Sequence, residues 1–421
     1  MKKLSLAALA VLPFLAASEG DHFQITPKGE QFLGGNVVFK GLTKDLTADS
    51  LNSNEFKNLY IVRLPILLNV SEMLNTYGTV VEMVEHDFAL MRMSEARAEK
   101  LSGAMHGSLG SCGMVIKLDG ERDLSGQLLA ASKPIYSTSQ LLPQVLKSQK
   151  QVDLNNIKQD VKDLENMGTR YHKSESGIKV PSFLKGRYEA LANGRSDVTI
   201  DFFKNQNSPQ DNIRVRILGK TKPEEVVVIG SHIDSINQGQ KGGLAPGADD
   251  NASGTATNLE IFRVIMNSGW TFDRTIEIHG YAAEEVGLYG SANMAKDYQQ
   301  RKVNVVSMVQ FDMNMFQTSK DLVMWFVTND TDSSFNKELQ DLVNHYQKLP
   351  VAEKAVFGGT SDHRSWTSRG FKASFPFEDA SSYNGKIHTT GDTSAYSGNF
   401  PLAAEFAKLG LAYFAHYAGK I

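Results

Sequence analysis

A single cysteine, Cys112, stands in a chain of 421 residues, so no intramolecular disulfide can form. It lies in the Gly/Ser-rich stretch 107–113, and nothing around it resembles the surroundings of a nucleophile. An excess of one charge is lacking too. With 44 Lys and Arg against 47 Asp and Glu, the net charge is -3, which gives neither nucleic acid nor an anionic membrane a foothold. Past the first twenty residues, no apolar run approaches the roughly 20 residues that span a bilayer. There is no repeat and no low-complexity tract. Stability must therefore come from packing and from any metals bound. With 41% hydrophobic residues the material for a core is ample, enough for two or three units of about 150 residues each.

What is present begins with a basic start, Lys2 and Lys3, followed by an apolar run from Leu4 to Ala17 broken by Ser5 and Pro13. The small residues Ala16 and Ser18 sit at the offset for cleavage after Ser18, so residues 1–18 read as a secretory signal peptide. A secreted protein is expected, exported through the periplasm if the source is bacterial. In the next unit, 59–68 and 78–91 are strand-like and 94–101 is helical; no chemical motif occurs there. Turn formers and charge between about 115 and 135, notably Asp119–Gly126, mark a linker.

From about residue 131 the pattern changes. Apolar strands at 226–230, 275–282, 305–312, 321–328 and 373–377 alternate with amphipathic helices at 254–267, 288–299, 335–347 and 402–418. Helices at 152–167 and 180–193 and strands at 198–203 and 213–219 precede them. Continuous apolar strands between helices indicate an α/β fold: a mostly parallel, mixed central sheet flanked by helices.

Taken singly, the polar residues at the strand ends are weak signals. Taken together they converge. His232 ends one strand, Glu284 and Glu285 end another, and Asp312 ends a third, while the loop with Asp249 and Asp250 follows His232 and leads into a helix. Ligands in open α/β sheets bind outside the carboxyl ends of the strands. Carboxylates gathered on that rim would repel one another unless cations lay between them, and a donor set of carboxylate and imidazole suits zinc, cobalt or manganese.

The stretches Gly230–Ser235, Ala245–Gly254, Tyr281–Ser291, Gln310–Met313, Ser361–His363, Pro376–Glu378 and Ile387–Thr390, in this order and spacing, resemble the bacterial leucyl aminopeptidase family of secreted, co-catalytic di-zinc exopeptidases. That family is related to glutamate carboxypeptidase II, glutaminyl cyclase and the transferrin receptor. The resemblance covers residues 131–421 and implies a zinc exopeptidase fold for them, with residues 19–130 a small α+β propeptide removed by cleavage near 115–135. It implies two zinc ions: His232 and Asp312 on one, Glu285 and His388 on the other, and Asp250 bridging, or Asp249 if the alignment slips by one. Glu284 would be the general base. Asp234 would orient His232 from behind, and His363 would be a supporting or structural histidine. Met313, Phe375, Phe377 and Ile387 would line an apolar pocket for a leucine-like side chain, although Asp379 could favour Lys or Arg instead. A non-proline cis bond is expected after the bridging aspartate. The implied partners are peptides with a free N-terminus and the implied state a monomer; the alternative is an inactive binding module on the same fold. Relatives carry a disulfide-bonded turn with a tyrosine where this chain reads Val356–Ser361, which has neither cysteine nor tyrosine.

Overall fold

The computed structural model describes residues 133–356 and 360–420 and, before them, 23–26, 29–32, 58–63, 70–84, 88–94, 96–98, 100–101 and 114–117. The expected signal peptide, Cys112, most of the expected linker and positions 357–359 of the turn before Ser361 lie outside the described residues.

In the first unit, β1 (Phe23–Thr26) and β2 (Gly29–Phe32) form an antiparallel pair. A four-stranded antiparallel sheet follows, built from β3 (Leu59–Arg63), β4 (Thr79–Val84), β5 (Phe88–Arg92) and β6 (Met114–Lys117) in the order β4-β5-β3-β6, with helix α1 (Val70–Tyr77) between β3 and β4. Tyr60, Val62, Leu74, Ala89, Met91 and Val115 make a small core of their own. Because Val115–Lys117 pair with β3, the connection to the second unit starts later than the linker expected from 115.

The second unit opens with α2 (Pro143–Gln149), α3 (Leu154–Glu165) and α4 (Glu175–Ala192). Two of these helices start where a side chain satisfies an orphan amide: Asp153 accepts from Asn155 N, and Ser174 from Gly177 N. That cap explains why α4 begins five residues before the expected Val180, with Pro181 carried inside it.

The central sheet has six strands: β7 (Val198–Phe203), β8 (Asn212–Ile217), β9 (Lys222–His232), β10 (Arg274–Tyr281), β11 (Asn304–Gln310) and β14 (Ala373–Ser374). Its order is β14-β11-β9-β10-β8-β7. The four strands from β14 to β10 run parallel, and β8 and β7 close the edge antiparallel. The inner strands are buried on both faces, which is why they read as unbroken apolar runs rather than alternating ones.

Helices α5 (Gly254–Asn267), α6 (Tyr289–Gln300), α7 (Ser333–Tyr346), α8 (His363–Thr367), α9 (Ser394–Ser397) and α10 (Phe400–Phe414) complete the unit. Most of the core joins α3, α4, α5, α7 and α10 to one face of the sheet; Tyr281, Met294, Tyr298, Met308 and Trp366 pack on the other. Gly254 lets α5 approach the sheet: a Cβ there would stand 2.2 Å from the carbonyl oxygen of Phe311. No helix among the described residues is long and apolar enough to cross a membrane.

The single strand expected at 373–377 is two. β14 belongs to the central sheet. The chain then crosses at Phe375, and β15 (Pro376–Phe377) joins β12 (Met324–Val327) and β13 (Val351–Lys354) in a second, three-stranded sheet.

Register decides where the polar strand ends lie. His232 at the end of β9 stands opposite Tyr281 at the end of β10, and Gln310 of β11 stands opposite Gly230. The residues just beyond, Glu284, Glu285 and Asp312, therefore leave the sheet along the same carboxyl edge.

Candidate metal centre

Five of the residues singled out above meet at that edge in two buried groups. One comprises His232, Asp250 and Asp312, the other Asp250, Glu285 and His388, and within each the donor atoms lie within 4.8 Å of one another. Asp250 belongs to both and sends one oxygen to each. Its Oδ1 is 3.0 Å from His232 Nε2, and its Oδ2 is 2.8 Å from His388 Nε2. Asp312 Oδ1 lies 3.3 Å from His232 Nε2, and Glu285 Oε2 lies 2.9 Å from His388 Nε2.

The electrostatics of this cluster fit a cation. Burial and the neighbouring Asp250 carboxylate push Glu285 up to about 7. Burial works against charge on His232 and His388, yet the surrounding carboxylates hold both rings well above the ordinary imidazole range. Those two imidazoles in turn hold Asp250 below the usual carboxylate range, outweighing its burial. Glu285 Oε1 is buried with no hydrogen-bond partner. Oxygen and imidazole donors with no thiolate suit zinc.

Glu284 belongs to neither group. It is half-buried, and burial together with Asp362, Glu285 and Asp312 holds its carboxyl well above the usual range against the pull of His232. Asp234 fixes the turn that carries both glutamates: its Oδ1 accepts from Glu284 N at 3.0 Å and its Oδ2 from Glu285 N at 3.3 Å. Asp234 Oδ1 also lies 3.5 Å from His232 Nδ1. One buried aspartate therefore faces the back of an imidazole and the amides of two neighbouring carboxylates.

Asp249 turns away from both groups, its oxygens accepting from Met315 N and Asn384 Nδ2. The cis bond falls at Asp250–Asn251. His363 bonds through Nε2 to the carbonyl of Asn329 (3.2 Å) and packs against Phe375; burial lowers its pKa to about 4, and neither ring nitrogen bonds any of the five clustered residues. From the same stretch it is Ser361 that reaches the cluster, donating to Asp312 Oδ2 at 2.6 Å. Met313, Phe375 and Phe377 form one apolar cluster with Val327, Val356 and Ala380, and Ile387 packs against it. Since Met313 follows Asp312 and Ile387 precedes His388, the cluster adjoins the polar groups. Asp379 is tied down by Ser381, whose amide and hydroxyl both donate to its Oδ1.

Sequence reasoning passed over several residues here. Gln238 places its side-chain amide 2.6 Å from His388 Nδ1. Arg170 and Asp392 bond the backbone between His232 and Asp250. None of these belongs to a spacing pattern; Asp392 lies two residues beyond the Ile387–Thr390 stretch. Backbone strain does mark the site. Ala283, Met313 and His388 all adopt left-handed φ values, of 57°, 56° and 58°, and strain in non-glycine residues clusters at functional sites.

Comparison with known proteins extends these observations. The profile of peptidase family M28 matches residues 212–409, a span that holds Glu284 and all five clustered residues. A probable aminopeptidase of Saccharomyces cerevisiae is 34% identical over 256 residues, covering 58% of this chain and 68% of that protein. A probable leucine aminopeptidase of Arthroderma otae is 33% identical over 274 residues, covering 62% of this chain and 72% of that protein. Among solved structures, the LapA aminopeptidase of Legionella pneumophila superimposes with a TM-score of 0.73 at 26% identity, covering 86% of this chain and 99% of that one. LapB of the same organism gives 0.71 at 28% identity, covering 85% and 98%. With the cluster inside the matched profile and the fold shared almost end to end with solved aminopeptidases, the chain belongs to peptidase family M28 and is a hydrolase.

Proposed function

We propose that this protein is a metallo-aminopeptidase that removes single residues from the free N-terminus of peptides, acting as a monomer with two zinc ions. The observation that carries the reading is the pair of buried groups sharing Asp250 beside a glutamate that joins neither. His232 and Asp312 would hold one ion, Glu285 and His388 the other, and Asp250 both. When bound, the ions supply electrophilic activation of the scissile carbonyl and make water a stronger acid.

The chain's own groups do the rest. Glu284 accepts the proton of the attacking water at its carboxylate and passes it to the leaving amine; burial and the neighbouring carboxylates make it a stronger base than an exposed glutamate. Asp234 holds the amides of Glu284 and Glu285, so base and ligand keep their separation. A carboxylate-rich rim attracts an ammonium group, which favours binding of the substrate's α-amine. Arg170, the buried cation facing these carboxylates, is committed to backbone carbonyls and is not available to a substrate carboxylate. The cluster of Met313, Phe375, Phe377 and Ile387 would receive a leucine-like side chain, and the engagement of Asp379 by Ser381 speaks against a basic one.

Dialysis against a chelator should abolish turnover of leucyl-nitroanilide, and added zinc should restore it. Activity that survived complete metal removal would sink the proposal. The proposal extends to secretion and to residues 19–130 as a propeptide. Protein recovered from the medium should show, by mass spectrometry, an N-terminus near residue 130; a mature N-terminus at residue 19 would rule out removal of the first unit.

A further inference from the structure

The segment from Pro246 to Asp250 is gripped from two sides by groups of opposite charge. The carbonyls of Pro246 and Gly247 accept from the Arg170 guanidinium at 2.7 and 2.8 Å. The next three amides, those of Ala248, Asp249 and Asp250, all donate to Asp392. Ala248 N meets its main-chain oxygen at 3.1 Å, Asp249 N its Oδ1 at 3.2 Å and Asp250 N its Oδ2 at 3.0 Å. Arg170 and Asp392 are both buried, at 1% and 0% exposure. Asn384 Nδ2 aims the aspartate by donating to Asp392 Oδ1 at 3.0 Å, and it also donates to Asp249 Oδ2.

Asp392 follows His388 by four residues on the same loop, and its amide bonds back to Thr389. One short loop therefore delivers the His388 imidazole to one group and, through Asp392, holds the backbone of the residue common to both groups. Building on the metallo-aminopeptidase reading, we propose that Asp392 is a positioning residue that sets the Asp250 carboxylate in register with His388 and so governs cation affinity at both groups.

The residue type follows from the geometry. Two adjacent amides need two acceptor oxygens on one side chain, and charge-assisted bonds of this kind are about twice as strong as neutral ones. Asparagine would present an NH₂ to one of the two N–H groups, and Asp250 would then be free to tilt. Groups that orient metal ligands typically change metal affinity by about 10–100-fold when altered.

The test uses the full chain freed of metal, titrated with zinc against a chromogenic chelator and, separately, with cobalt followed by its visible absorption. Asp392→Asn should bind zinc about 10–100-fold more weakly at both groups and show a displaced cobalt band. A role in folding alone would lower the melting temperature of the metal-free protein while leaving zinc affinity and the cobalt band as in wild type, and that result overturns the inference. Should Asp392→Asn fail to fold, Asn384→Ser removes the donor that aims Oδ1. A several-fold loss of zinc affinity is then expected, and an unchanged affinity overturns the inference. A wild-type chain that takes up no zinc removes the metallo-aminopeptidase reading as well; a zinc-binding wild type with an unaltered variant removes this inference alone.

Discussion

Glu284→Gln should keep its full complement of zinc and lose turnover by about 10²–10⁴-fold, the usual contribution of a positioned proton acceptor. Glutamine matches glutamate in size but cannot take up a proton. The contacts holding this turn use the backbone amide of residue 284, which the substitution leaves in place. Neither candidate metal group includes Glu284, so metal content should not change. The loss should fall on kcat, with KM moving little, because the missing interaction belongs to the transition state. Nitroanilide kinetics alongside elemental analysis separate the two quantities. A variant with near-wild-type kcat would remove Glu284 from the role of base, and one that lost zinc would make it a ligand instead.

Asp250→Ala should be more severe and of a different kind. Asp250 is the one side chain shared by both groups. Without it, His232 and Asp312 remain as one pair and Glu285 and His388 as another, each short of the three protein ligands usual at a catalytic zinc. Both ions should be lost. Activity should fall by more than about 10³-fold, since electrophilic activation is worth several kcal/mol and each 1.36 kcal/mol is a factor of ten. Zinc should also cease to raise the melting temperature, because a ligand stabilises only the fold that binds it. Asp312→Ala, which touches one group, should retain about half the metal. Equal metal loss from the two variants would contradict a shared carboxylate.

Much of this was legible in the chain because the responsible physics is local. An apolar run buried on both faces of a parallel sheet identifies itself, and so does the polar residue where the run ends: His232, Glu285 and Asp312, which the structure brings to one edge, are legible this way. Helix α5 was expected at 254–267 and is observed at Gly254–Asn267, started by Asn251 Oδ1 accepting from Gly254 N. What escaped notice depends on tertiary contact. Arg170 and Asp392 act on main-chain carbonyls and amides, which look the same at every position of a sequence. Gln238 matters only because the His388 loop folds back onto it. The crossing at Phe375 has one local sign, Pro376, which cannot donate to a sheet ladder and so interrupts a stretch that otherwise reads as one strand. Helix α2, with a single hydrophobic turn facing the core through Val145, was too short to announce its period.

That crossing separates two tasks. The candidate metal groups are built on the carboxyl edge of the central sheet and the loops beside it, whereas much of the apolar wall next to them, Val327 and Phe377 with Trp325 and Phe375 around them, is supplied by the small three-stranded sheet and the crossing into it. On the proposed reading, side-chain selection and chemistry are thus mounted on different frames. Amino-acid preference could drift, or be redesigned, by resurfacing the minor sheet while the hydrolytic machinery stayed untouched.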